Sequence, residues 1–367
     1  MLSSTNELLQ NPHCLQCKMK GQTDDENYSS HRLSFKNLEF EPMLNMDEDN
    51  LPEQAYVDLK TYPSSVHHWG QLKLLCSEIQ FLTPYKDIKY LCVVYAGSSP
   101  GHHLEILIDM MPQTWHWRLY DDLDCEVYYN KTNDSKIFYK QCFSSSRFKE
   151  VQIKSSCVVP VIRKHKKNVF VNKFKINSTE AKILSKLYIT RVPSEEDPQL
   201  LFISDIRSRN TENEIKQDMI TQRELVESLM PFQASLKFKL PYHAETKIEY
   251  LDGDIMLQCF TPPNSHECRL FTLKGQDMAK TRLYDATEFS KKCFNFQTCI
   301  RTSLYQHNIG PPNYIDHPSL MKYGVASDHC FDCTLCKEII GHFIQDNEQV
   351  LSVLESMVKK LIEIHIR

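Results

Sequence analysis

The chain has 367 residues, 41% of them apolar, which is enough for one large αβ domain with extensions or for two domains. A formal net charge of −4 excludes a uniformly basic nucleic-acid binder, though not a local cationic groove. No apolar run approaches the ~18 residues that span a bilayer, and the opening MLSSTNELLQ lacks the basic and apolar regions of a secretory signal, so the 14 cysteines are expected as reduced thiols.

In chain order, residues 1–60 read as an acidic, largely irregular extension, in which Leu38-Glu39-Phe40-Glu41-Pro42 could dock locally. From Gly70 the spacing of Leu72, Leu75, Cys76, Ile79 and Leu82 predicts a helix. Lys89 to Tyr95 reads as a strand and runs into the glycine turn Gly97-Ser98-Ser99-Pro100-Gly101. A helix is expected over His102–Met111, then a strand over Trp115–Tyr120 that ends on Asp121. Strand, glycine loop, helix, strand and terminal acid form the first unit of a nucleotide-type αβ fold; glycines let a ligand approach the backbone, and an acid about 20 residues on suits ribose hydroxyls. Gly101 and Asp121 are 20 apart. The loop lacks the full G-x-G-x-x-G pattern, and no G-x-x-x-x-G-K-[ST] occurs. That argues against a dinucleotide or a triphosphate and leaves an adenosine ligand such as S-adenosylmethionine. A loop closing an ordinary βαβ unit is the competing reading.

An insertion is expected at about 124–196. It carries strand-like pieces (Val158–Ile162, Val169–Val171), a helix-like one (Glu180–Tyr188) and a basic cluster from Arg163 to Lys175 that is either a solvated surface or an RNA contact. Gln199 to Asp205, apolar and ending on an acid, reads as a central parallel strand. Glu214–Met230 is an amphipathic helix with Ile215, Met219, Val226 and Leu229 on one face. Strands follow at Ala234–Leu240, Met256–Phe260 and Arg269–Leu273, and an amphipathic helix at Gln349–Ile366. Cys330, Cys333 and Cys336, flanked by His329 and His342, could suggest zinc. Their spacing of three also puts them on one helical face as core, and the other C-x-x-C (Cys14, Cys17) lies in the acidic extension, so no metal site is expected. His102 and His103 read as capping or solvent-exposed. The fold class is α/β, Rossmann-like, with a largely parallel central sheet flanked by helices.

Four charged residues sit in apolar surroundings: Lys73, Asp205, Lys237 and Glu267. Singly, each has an ordinary explanation, since lysines snorkel and acids cap helices. Together, with their flanking motifs, they carry a resemblance. Gly70-Gln71-Leu72-Lys73-Leu74-Leu75, Tyr95 to Gly101, Ile203-Ser204-Asp205-Ile206-Arg207-Ser208, Ala234-Ser235-Leu236-Lys237 and His266-Glu267-Cys268-Arg269-Leu270 are similar to the poxvirus cap-specific mRNA (nucleoside-2′-O-)methyltransferase family, whose members double as the regulatory subunit of poly(A) polymerase. The similarity covers roughly 70–301 apart from the insertion, and the chain looks like a homologue from another large DNA virus.

The resemblance implies an S-adenosylmethionine-dependent methyltransferase domain over 61–345 and a C-terminal helix over 346–367 packed on it. It also implies a catalytic tetrad of Lys73, Asp205, Lys237 and Glu267. A lysine can accept a proton only while it is itself unprotonated, a form that a neighbouring cation and partial burial favour. Lys237 is implied as the base, Lys73 as the neighbouring cation that orients the 2′-hydroxyl, and Asp205 and Glu267 as the acids that position them. Donor binding falls on Gln71, Tyr95, Gly97, Gly101, Asp121, Asp205 and Arg207. Where the family has an arginine two residues after the ribose acid, this chain has Leu123.

For the cationic base of a methylated-guanine cap, the resemblance points to the rings of Phe40 and Tyr242. The expected acids fall on Ala244 and Ser290, with Glu245 and Glu288 nearby, and a further tyrosine position holds Asn264. The implied partners are capped mRNA and the poly(A) polymerase catalytic subunit, with no membrane. The implied location is the host cytoplasm and its viral factories, with packaging in the virion as a further expectation. A non-catalytic processivity factor of the polymerase and a 2′-O-methyltransferase without cap specificity are the alternatives.

Overall fold

The computed structural model describes residues 37–39, 45–47, 51–57, 69–89, 91–121, 137–143, 147–148, 200–208, 211–241, 247–262, 265–301, 304–306 and 331–366. The chain divides into two compact units. One comprises 84–255 with 269–286, and the other 1–83, 256–268 and 287–367.

The first unit is built on an eight-stranded sheet of order β5-β4-β3-β2-β6-β7-β10-β9. Its strands are β2 (Cys92–Ala96), β3 (His116–Asp121), β4 (Ile137–Phe143), β5 (Arg147–Phe148), β6 (Leu200–Ser204), β7 (Gln233–Phe238), β9 (Gly253–Met256) and β10 (Cys268–Thr272). The pairs β2–β3, β2–β6, β3–β4 and β6–β7 are parallel, whereas β4–β5 is antiparallel. β2, β6 and β7 are buried along their whole length, which is why they read as apolar runs. Helix α2 (His102–Met110) joins β2 to β3, and α3 (Glu212–Leu229) joins β6 to β7. The start of α3 is fixed by Thr211 as N-cap: its hydroxyl accepts from the Glu214 N–H at 3.4 Å and donates to the Glu214 carboxylate at 2.5 Å. The helix therefore begins two residues earlier than its apolar stripe suggests.

The stretch read as an insertion contributes β4 and β5. Its basic cluster, its other expected strands and its helix lie outside the described residues. Beyond the main sheet, β8 (Lys247–Leu251) pairs antiparallel with β11 (Thr281–Asp285). The strand expected over Met256–Phe260 is displaced: β9 ends at Met256, and Phe260 adopts φ +57°, which no strand accommodates.

The other unit contains α1 (Gly70–Leu82), α4 (Ala286–Asn295, whose first residue is the last of the sheet unit), α5 (Phe331–Ile344) and α6 (Val350–Ile366). It also contains the short parallel pair of β1 (Asn37–Glu39) and β12 (Leu304–Gln306). Helix α5 packs on α1 and α6. Arg301 and Asp332 staple this unit: the guanidinium donates to both carboxylate oxygens, at 3.0 and 2.6 Å, and to Thr261 and Gln297, all of them buried. Cys333 and Cys336 lie buried on α5, and the Cys336 sulfur is 3.4 Å from that of Cys76 on α1. Hydrogen bonding to the Cys259 and Cys336 thiols, then burial, holds the Cys76 thiol well above its ordinary range. Among the described residues no helix is long and apolar enough to cross a membrane, and no group of three or more ligating side chains could hold a metal ion.

A strap formed by Leu51–Val57 has no regular structure yet is firmly docked. The Leu51 side chain is buried, and the Gln54 N–H donates to the Lys291 carbonyl at 3.3 Å. The Gln54 side-chain oxygen accepts from Thr298 at 3.1 Å and from the Cys299 thiol at 3.2 Å, and Glu53 pairs with Lys291 at 3.2 Å.

Candidate active site

In the sheet unit, the strand order reverses beside β2. β3 lies on one side of it and β6 on the other, and the crevice at the carboxyl ends of such strands is where open αβ sheets hold ligands. The glycine loop and Asp205 both emerge there. Gly97 has φ +83°, and a Cβ on it would stand 2.7–2.9 Å from the backbone of Asp205 and Ile206. The Asp205 N–H donates to the Ala96 carbonyl at 2.8 Å, and the Gly97 and Ser98 N–H groups donate to the Tyr120 carbonyl at 2.9 and 3.3 Å. Asp121, at the end of β3, accepts from the Ser99 N–H at 2.7 Å, so the acid and the loop bracket one edge. Gly101, at φ +75°, turns the chain into α2.

Asp205 carries two cations. Lys237 Nζ is 3.2 and 3.3 Å from its two carboxylate oxygens, and Arg269 donates to Oδ1 at 2.5 Å and to the Ser204 carbonyl at 2.9 Å. Arg269 is 1% exposed and Lys237 8%, so both basic groups are held largely away from bulk water. Of these cations, only the lysine can give up its proton.

Helix α3 fixes both flanks of this trio. β6 stops pairing at Ser204↔Leu236, one residue before Lys237. There the Gln222 amide takes over the edge: it accepts from the Lys237 N–H at 3.1 Å and donates to the Lys237 carbonyl at 3.0 Å. One turn earlier, Asp218 accepts from the Ser208 N–H and hydroxyl at 2.9 and 2.8 Å and faces Arg207 at 3.7 Å. Gln222→Ala removes both of these hydrogen bonds to buried main-chain groups, so it is expected to cost about 1–3 kcal/mol of stability, measured by denaturant unfolding. An unchanged unfolding midpoint would show that water replaces the amide.

In the other unit, Lys73 on α1 is 6% exposed and donates to Glu267 Oε1 at 2.5 Å. Gln71 lies one helix position before Leu72, half-buried. Glu288 on α4 is exposed and pairs with Lys292 at 2.7 Å.

The four tetrad residues thus form two ion pairs, Asp205–Lys237 and Lys73–Glu267, each inside its own unit. Gly97, Gly101, Asp121, Asp205 and Arg207 cluster at the sheet edge. Tyr95 is fully buried, and its hydroxyl lies 3.5 Å from His103 Nε2, so that histidine is a core residue rather than a solvent-exposed one. Phe40, Tyr242 and Glu245 lie outside the described residues. Sequence reading assigned no role to Arg269, Asp218 or Gln222. For the last two a signal existed: they fall in register with the apolar stripe of α3, where a polar residue requires a buried partner.

A family model described as poly A polymerase regulatory subunit matches residues 41–163 and 142–333. The chain belongs to that family. Relatives agree with the assignment. A fowlpox virus protein named cap-specific mRNA (nucleoside-2′-O-)-methyltransferase is 27% identical over 291 residues, spanning 76% of this chain and 82% of its own. A myxoma virus protein of the same name is 25% identical over 280 residues, 72% and 71% of the two chains. Among solved structures, that of bluetongue virus VP4, described as an RNA-capping production line, superposes with a TM-score of 0.36 at 13% identity, covering 75% of this chain and 40% of that one. The family match runs through all five motifs that carry Lys73, the glycine loop, Asp205, Lys237 and Glu267.

Proposed function

We propose that this member of the family methylates the ribose 2′-oxygen of the first transcribed nucleotide of capped mRNA, with S-adenosylmethionine as donor. The observation that carries the reading is Asp205 shared between Lys237 and the buried Arg269, beside a loop where only glycine fits. A close glycine loop next to a carboxylate suits an adenosine ligand. Gly97 and Gly101 would admit it, Asp121 would meet its ribose hydroxyls, and Gln71, Tyr95 and Arg207 would complete its surroundings. Once bound, S-adenosylmethionine supplies a methyl group on a cationic sulfur.

In its neutral form, Lys237 Nζ would take the proton from the 2′-hydroxyl as that oxygen bonds to the methyl carbon. The methyl–sulfur bond breaks in the same step with its electron pair left on a now neutral sulfur, and the ammonium formed would then give its proton to water. Asp205 aims Nζ, and Arg269 keeps Asp205 from turning away. Lys73, held by Glu267, orients the hydroxyl. Phe40 and Tyr242, with Glu245 and Glu288, are proposed to receive the cap base, and the host cytoplasm is the proposed place of action. The family description favours a second role in the same protein, as regulatory subunit of poly(A) polymerase.

The test uses labelled S-adenosylmethionine with short RNAs bearing a methylated-guanine cap or a 5′-triphosphate. Label confined to the first ribose of the capped RNA is the expected result. Label on both RNAs would keep the chemistry and remove cap specificity. Label on neither, with RNA still bound, would leave the polymerase role alone.

A further inference from the structure

The ladder between β6 and β7 runs as far as Ser204↔Leu236 and stops one residue short of Asp205 and Lys237. Beyond it, Lys237 Nζ still sits 3.2 and 3.3 Å from the two Asp205 oxygens. Helix α3 grips the chain on both sides of that contact. Its Asp218 and Gln222 are four residues apart, so they lie one above the other on a single helix face. Both are buried, at 3% and 0% exposure. Asp218 holds the chain after β6 by accepting from the Ser208 N–H at 2.9 Å and hydroxyl at 2.8 Å. Gln222 holds the end of β7 by accepting from the Lys237 N–H at 3.1 Å and donating to its carbonyl at 3.0 Å. The second grip requires a primary amide, because one atom must accept while the other donates; a carboxylate can do only the first. All of these residues belong to the sheet unit.

We propose that Asp218 and Gln222 are positioning residues for 2′-O-methyl transfer. In this role α3 is a splint that fixes the peptide of Lys237 against the loop carrying Asp205, so that Nζ is aimed before RNA arrives. The two side chains act through Lys237 and Asp205 and need touch neither substrate nor donor. A Lys237 peptide free to turn would displace Nζ, and a displacement of about 1 Å can lower a rate about 10²-fold. The proposal rests on the methyltransferase reading above and deepens it, giving these buried polar residues an effect on rate as well as on stability.

The test is single-turnover methyl transfer to capped RNA at saturating RNA and donor, with the folded fraction counted by donor-binding stoichiometry. Gln222→Met keeps length and helix propensity and removes both bonds. It is expected to lower the rate per folded molecule on the order of 10- to 100-fold, with KM for RNA and donor affinity unchanged. Gln222→Glu, which cannot donate to the Lys237 carbonyl, should fail as well, whereas Asp218→Asn, which retains an acceptor for Ser208, should keep more of the rate than Asp218→Ala. Gln222→Met combined with Asp218→Ala should lose less than the product of the two single losses, because one splint is removed twice. The control is Ile220, on the same helix and 50% exposed: Ile220→Gly weakens the helix, leaves both grips in place and should react at the wild-type rate. A wild-type rate in Gln222→Met, or an equal loss in Ile220→Gly, would overturn the proposal while leaving the enzyme reading intact. No transfer by the wild type would remove both.

Discussion

Lys237→Ala is expected to lower kcat for 2′-O-methylation by about 10²- to 10⁴-fold, the usual worth of a positioned general base. RNA and donor affinity should change little, because the lysine's main-chain groups stay on Gln222 and Asp205 keeps Arg269 as its partner. For the same reason the fold should tolerate the change. Lys237→Arg is not expected to restore the rate. A guanidinium keeps its charge and cannot accept the proton, however well it fills the space. Single-turnover rates at saturating RNA, alongside RNA binding constants, separate these outcomes. Weakened binding with an unchanged single-turnover rate would move Lys237 from base to phosphate contact.

Gly97→Ala is expected to be nearly as damaging by a different route. A non-glycine residue forced to φ +83° costs on the order of 1–3 kcal/mol, and here the new methyl would also overlap main-chain atoms of Asp205 at 2.7 and 2.9 Å. Backbone cannot swing aside as a side chain can, so Asp205 must shift and its hold on Lys237 with it. Donor binding, read by calorimetry, and methyl transfer should both be lost. Gly275→Ala is the control: its φ is +63°, but the nearest atom to the new methyl is a ring carbon of Phe232 at 3.8 Å. That variant should show the backbone penalty in unfolding while keeping donor binding. Equal loss of donor binding in both would trace the effect to general destabilisation.

Much of this arrangement is legible in the residues themselves. β2, the glycine turn, α2 and β3 follow one another in a pattern set by burial and by φ > 0 at Gly97 and Gly101, both of which are local properties. β6 announces itself as an apolar run with an acid at its end. Other parts depend on partners far along the chain. β8 and β11 alternate charge with apolar residues so weakly that only their pairing reveals them. Arg269 reads as an ordinary strand residue until Asp205, 64 positions earlier, is seen to receive it. The strap defeats composition altogether. Leu51–Val57 sits among acids that predict irregular chain, and it is irregular, but Glu53, the side chain and N–H of Gln54 and the buried Leu51 dock it.

The contact between Gly97 and Asp205 also bears on when order is imposed. Two loops from different strands touch through main chain, and a hydrogen bond from the Asp205 N–H to the Ala96 carbonyl ties them together. Neither loop can relax without the other. Their conformational entropy is surrendered when the chain folds, so a ligand arriving at this edge meets a surface already set and keeps more of its interaction energy as affinity.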